Sequence, residues 1–114
     1  MMENISWMAG LFEGEGSIYW DKSNNQYRLN LQMTDKDIVD RFHKLANAGH
    51  VYYREVRDHK DCYQWKCSKR ADIVRLLSDM LPFFGERRAL KTLNALDFFD
   101  GCFNCNPPEA IALG

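Results

Sequence analysis

Residues 7–18 read Trp7-Met8-Ala9-Gly10-Leu11-Phe12-Glu13-Gly14-Glu15-Gly16-Ser17-Ile18. Ile5, Met8, Ala9 and Phe12 recur at three- and four-residue spacing, so residues 5–14 are expected to form a helix that Gly14 and Gly16 end. Glycine inside a helix costs roughly 1 kcal/mol against alanine, so Gly10 requires a compensating role. Gly10 and Gly14 are four residues apart and are expected beside Ala9 on one face, where a second helix backbone could approach closely. The expected second helix is the same one in another copy, giving a two-fold dimer with Trp7, Ala9, Gly10, Glu13 and Gly14 at its interface. Glu13 and Glu15 fall at the helix C-terminus, where the helix dipole disfavours anions unless a cation is near. Two copies of Glu15 close to a two-fold axis would suit Mg2+, which takes few carboxylates and completes its shell with water and phosphate oxygens.

Working outward, residues 17–21 are β-branched and aromatic, residues 22–26 form a polar turn, and Tyr27, Leu29, Leu31 and Met33 alternate with Arg28, Asn30 and Gln32. That is a hairpin with one buried face. Residues 34–49 carry Ile38, Val39, Phe42, Leu45 and Ala46 on one helical stripe, opened by Thr34 three residues before Asp37 as in a capping box, and closed by Asn47 and Gly49. A second hairpin follows, 51–57 and 62–69 about the charged turn 58–61, with Tyr63, Trp65 and Cys67 facing one way and Gln64, Lys66 and Ser68 the other. Amphipathic helices at 71–83, ended near Pro82, and from Arg88 to about residue 100 complete the pattern. The order lacks strand–helix–strand alternation, which predicts an α+β fold with one four-stranded antiparallel sheet and helices on one face. Residues 1–100 are expected to form a single domain and 101–114 a C-terminal tail. The open face would carry Arg28, Asn30, Gln32, Gln64, Lys66 and Ser68, donor-rich side chains of the kind that read base edges in a major groove.

Composition fits one globular domain: 114 residues, 46% hydrophobic and 27% charged. No apolar run reaches the roughly 20 residues of a membrane helix, and no signal-peptide pattern opens the chain, so a cytoplasmic location is expected. Cys102 and Cys105 form a C-x-x-C that could supply half a zinc site. Cys62 and Cys67 lie five apart in a strand, on opposite faces, and do not converge with one another. His43, His50 and His59 are scattered. The net charge of −1 does not suggest a nucleic-acid binder until it is divided along the chain. Residues 1–16 hold only acidic charges (Glu3, Glu13, Glu15), whereas the second hairpin is basic, so a near-neutral total conceals a basic sheet beside an acidic centre.

The segment Met8–Gly16 resembles the signature of the LAGLIDADG homing endonucleases. Ala9-Gly10-Leu11 are identical to it, Met8 and Phe12 keep apolar positions, Glu13 and Glu15 stand for the two aspartates, Gly14 for the alanine, and Gly16 for the last glycine. The resemblance covers about residues 5–98, because the element order is also the family's αββαββα unit and residues 34–53 are similar to its second helix and third strand. It implies an endonuclease acting on double-stranded DNA, with Glu15 as metal ligand and catalytic residue and Mg2+ as cofactor. Arg87 (or Arg88) takes the place of a lysine near the scissile phosphate. A chain with one motif is similar to the homodimeric members, which cut palindromic or nearly palindromic sites. On that reading the sheet residues contact DNA, joined by Arg54, Arg57, Lys60, Lys69 and Arg70 at phosphates. Two other classes compete: a LAGLIDADG-like DNA- or RNA-binding protein without catalysis (a maturase or regulator), and a small protein-interaction domain that dimerises through its glycine helix.

Overall fold

The computed structural model describes residues 2–55 and 61–100. Arg57, Lys60, Cys102, Cys105, His59, most of the turn expected at 58–61 and the tail expected at 101–114 lie outside the described residues. The elements run α1 (Met2–Glu15), β1 (Gly16–Asp21), β2 (Gln26–Met33), α2 (Lys36–Ala46), β3 (His50–Arg54), β4 (Cys62–Cys67), α3 (Arg70–Met80) and α4 (Glu86–Asp100). A short 3-10 turn at Leu81–Phe83 separates α3 from α4. Pro82, which cannot donate a helical hydrogen bond, falls within it, so the helix expected at 71–83 ends sooner, at Met80.

The four strands form one antiparallel sheet in the order β1-β2-β4-β3, so the two hairpins meet through β2 and β4. Leu29 lies opposite Cys67 and Leu31 opposite Trp65, while Asn30 lies opposite Lys66 and Gln32 opposite Gln64. Directly opposed residues share a face. Leu29, Leu31, Trp65 and Cys67 are buried, so theirs is the core face, where Ile18 joins them. The other set points outward, with Gln64 Nε2 donating to Gln32 Oε1 at 3.2 Å.

Helices cover the inner face. Phe42 of α2 meets Trp65 edge-on at 4.8 Å and stacks with Phe12 of α1 at 6.2 Å. Ile73, Leu76, Leu77 and Met80 of α3 complete this core. At the far edge, Trp20 and Tyr27 pack edge-on against Phe98, tying α4 to the first hairpin. The end of α2 is held closely: Asn47 adopts the left-handed conformation, Trp65 Nε1 donates to the Ala48 carbonyl at 2.8 Å, and Arg75 Nη2 donates to the Ala46 carbonyl at 2.8 Å. Gly49 has φ +82°, and a Cβ there would lie 2.6 Å from the Lys66 carbonyl oxygen, which accounts for glycine at this place.

Three expectations need correction. The capping box at Thr34 does not form: Asp35 is the N-cap residue of α2 and makes no side-chain cap bond. Ala9 does not share the outward face with Gly10 and Gly14. It is fully buried in the core with Met8 and Phe12, because the helical stripe that covers the sheet passes through position 9, whereas Gly10 and Gly14 are exposed. Ser68 lies beyond the end of β4, where its carbonyl accepts a 2.6 Å bond from Gln26 Nε2. Among the described residues no helix is long and apolar enough to cross a membrane.

Candidate nucleic-acid interface and acidic centre

The outward face of the sheet presents Arg28 and Asn30 on β2, both half-buried, beside exposed Gln32, with half-buried Gln64 and exposed Lys66 on β4. The register adds Ser17 and Tyr19 on β1 and His50, Tyr52 and Arg54 on β3, the last opposite Cys62. Tyr52 is 50% exposed, with Lys66 Nζ 6.0 Å from its ring centroid. These additions follow from the strand order, which places β3 beside β4 and gives its alternate residues to the same face. Lys69, exposed, is the N-cap residue of α3. Arg70 was expected at the phosphates but turns to the helical side: its Nη2 donates to the Phe99 carbonyl and its guanidinium lies over the Phe99 ring. That carbonyl lies in the last described turn of α4, where helix-end carbonyls take side-chain donors such as Arg70.

The acidic centre forms where α1 ends and β1 begins. Glu13 reaches across to α4: its Oε1 accepts the Gly85 N–H at 2.5 Å, and its Oε2 lies 3.3 Å from Arg88 Nε. Arg88 Nη2 donates to the Glu13 carbonyl oxygen at 3.0 Å. Arg88 is therefore the cation that offsets the negative end of the α1 dipole. Glu13 is engaged within its own chain. Glu15 differs: its carboxylate is exposed and makes no hydrogen bond or ion pair with the described residues. Trp7 is also partly used internally, since the Arg41 guanidinium stacks 4.0 Å from its ring centroid.

Beside this junction lies a cavity of about 360 Å³ lined by Glu13, Gly16, Ser17, Ile18, Arg87, Arg88 and Lys91. With Arg88 paired to Glu13, the cavity keeps two cations, Arg87 and Lys91, four residues apart and hence on one face of α4. Sequence reasoning selected Arg87 and missed Lys91; the i, i+4 spacing in Arg87-Arg88-Ala89-Leu90-Lys91 was the available signal.

Solved structures share this arrangement of helices and sheet. I-CvuI, a homing endonuclease in complex with its target in the presence of calcium, superimposes with a TM-score of 0.69 at 17% identity, covering 96% of this chain and 74% of that one. I-Vdi141I, an archaeal intron-encoded homing endonuclease complexed with DNA, gives 0.64 at 12% identity over 87% and 68% of the two chains. The homing endonuclease I-TnaI gives 0.63 at 14% identity over 84% and 71%. The fold is the homing-endonuclease fold.

The chain matches no protein-family profile. It is 32% identical over 66 residues to an uncharacterized protein of Methanocaldococcus jannaschii, a stretch that is 54% of this chain and 24% of that one. The chain thus spans about a quarter of the length of that relative.

Among the described residues no three His, Cys, Asp or Glu side chains gather around one point. At this junction Glu13 is engaged by Gly85 and Arg88, which leaves Glu15 as the carboxylate without a hydrogen bond or ion pair to the described residues. That fits Mg2+, which is commonly held by one or two carboxylates with phosphate oxygens and water supplying the rest, and does not fit a cation that needs an all-protein cage.

Proposed function

We propose that the chain is a site-specific endonuclease of double-stranded DNA, of the LAGLIDADG homing type, acting as a homodimer with Mg2+ on a palindromic or nearly palindromic site. One observation carries this reading: the exposed Glu15 carboxylate, the Arg87–Lys91 cavity and the polar outer face of the sheet meet where α1 runs into β1. Low-identity likeness to DNA-bound homing endonucleases supports it through the fold.

Each residue then has a task. The outer face lies along the major groove, with Asn30, Gln32, Gln64 and Lys66 meeting base edges or phosphates. Gly10 and Gly14 leave open space on α1, which lets a second copy of the helix approach and brings its Glu15 near the first. Glu15 from each protomer would hold the divalent cation. When bound, that cation lowers the pKa of water and stabilises charge on the leaving oxygen. Arg87 and Lys91 neutralise the phosphate at the cleavage point, the planar Arg87 guanidinium offering it paired donors.

A second reading, DNA binding without cleavage, is favoured by Glu15 standing where the motif has aspartate and by Arg87 in the lysine place. Incubating the protein with randomised duplexes and Mg2+, then sequencing cut ends, separates the two. Discrete double-strand breaks that vanish in Glu15→Gln support the endonuclease, and retained DNA without breaks supports the binder. Absence of salt-dependent retention on DNA would leave only the protein-interaction class.

A further inference from the structure

We propose that Asp21 is a positioning residue for sequence readout, holding Arg28 as a fork directed off the sheet toward a guanine. The inference rests on the DNA-binding reading above and adds a specific reader and its support. Arg28 lies opposite Tyr19, and Asp21 opposite Gln26, so Asp21 and Arg28 are diagonal neighbours on the outer face. Arg28 Nε is 2.5 Å from Asp21 Oδ2, with the two side chains 27% and 17% exposed.

The carboxylate is itself fixed from the hairpin turn. Asp21 Oδ1 accepts the Ser23 N–H at 2.9 Å, and Oδ2 accepts from Asn24 Nδ2 at 2.8 Å. Those bonds, with Arg28, hold the Asp21 carboxyl below its ordinary range, led by the Asn24 contact. The turn closes with Asn25 in the left-handed conformation, φ 51°. Asp21 thus takes two bonds from its own turn before any ligand arrives, and its ion pair restrains the long Arg28 side chain.

The chemistry of the pair selects the ligand. Arg28 Nε is buried and contacts Asp21 as an ion pair without hydrogen-bond geometry, and the two terminal nitrogens of Arg28 have no hydrogen-bond partner among the described residues. They form an end-on pair of donors, which matches the O6 and N7 acceptors of guanine in the major groove. An unpaired carboxylate on this face would repel phosphates and the same acceptors. Its pairing with Arg28 removes that repulsion and makes the acid useful as a brace.

The test is a binding selection from a randomised duplex pool, read at one salt concentration for wild type, Arg28→Lys, Asp21→Asn and Asn24→Ala, with thermal melting recorded for each. Arg28→Lys keeps the charge and loses the fork, so it identifies the G·C pair that Arg28 reads. Asp21→Asn is expected to lower discrimination at that same pair about tenfold while random-sequence binding changes less than about twofold. Asn24→Ala removes one of the two turn bonds to Asp21 and leaves the Ser23 bond and the Arg28 pair, so it is expected to lower discrimination at that pair by clearly less than Asp21→Asn does. An unchanged profile in Asp21→Asn overturns the proposal. So does equal flattening in Asn24→Ala, which would assign the effect to the turn. Wild-type protein that retains no duplex at any salt refutes the DNA-binding reading, and this inference with it.

Discussion

Arg88 spans the end of α1 and the start of α4: Nε lies 3.3 Å from Glu13 Oε2 and Nη2 donates to the Glu13 carbonyl oxygen at 3.0 Å. One guanidinium therefore answers both the side chain and the backbone of the same residue, two positions before Glu15, the proposed metal ligand. Its place over the Phe12 ring, 5.4 Å from the centroid, connects this clasp to the core.

The clasp predicts a stability effect separable from activity. Arg88→Ala is expected to lower unfolding free energy by about 1–2 kcal/mol, because it removes charge-assisted bonds and leaves a helix-terminal carbonyl without its cation. Glu13→Ala should cost a similar amount, less whatever water restores at this half-exposed carboxylate. The double variant is expected to cost less than the two singles combined, as urea unfolding of all four proteins will measure.

Glu15→Gln should do the reverse. With no partner among the described residues, its loss is expected to leave melting within about 0.5 kcal/mol of wild type. Cleavage of the selected duplex should disappear while its retention at matched salt persists. Undiminished cleavage would remove Glu15 from the chemistry.

The two glycine environments predict opposite outcomes for one kind of change. Nothing lies within 4 Å of a Cβ on Gly10, so Gly10→Leu is expected to keep the fold and to shift sedimentation from dimer to monomer. A Cβ on Gly16 would collide with the Phe12 ring, and Gly16→Ala is expected to destabilise the protomer by about 1–3 kcal/mol. A Gly10→Leu protein that remains a normal dimer would refute the helix-to-helix interface.

Cys67 gives a pH dependence. Burial pushes its thiol up to about 11 from 9.0, so the folded state holds this proton more firmly than the unfolded chain does. Its contribution is therefore whole below pH 9 and declines as pH climbs toward 11, with a slope of at most about 1.4 kcal/mol per unit. Cys67→Ala should flatten that part of the stability profile, as denaturant midpoints between pH 8 and pH 10.5 will register. The wild-type thiol should also alkylate slowly at neutral pH.

Local chemistry in the sequence predicted much of the architecture. Strict alternation from Tyr27 to Met33 placed Leu29 and Leu31 inward and Asn30 and Gln32 outward, and Asn47 and Gly49 marked the end of α2. The resemblance of Met8–Gly16 to a motif led to the fold that solved structures share. What escaped was set at long range. Glu13 meets Arg88 across 75 positions, Arg70 meets Phe99 across 29, and neither pairing leaves a periodic trace. Ala9 was misplaced because Gly10 and Gly14 invited a single glycine-lined face, whereas burial is decided by the sheet against which α1 lies. Lys91 lines the cavity together with Gly16, Ser17 and Ile18, a neighbourhood far from it in sequence.

The alternation on β2 and β4 has an evolutionary consequence. Leu29, Leu31, Trp65 and Cys67 carry the packing, while Gln32, Gln64 and Lys66 on the opposite side carry none of it. Natural variation can therefore exchange the outward set residue by residue with little penalty in folding. A lineage built on this sheet could drift toward new recognition targets through ordinary point mutation, its interior held constant throughout.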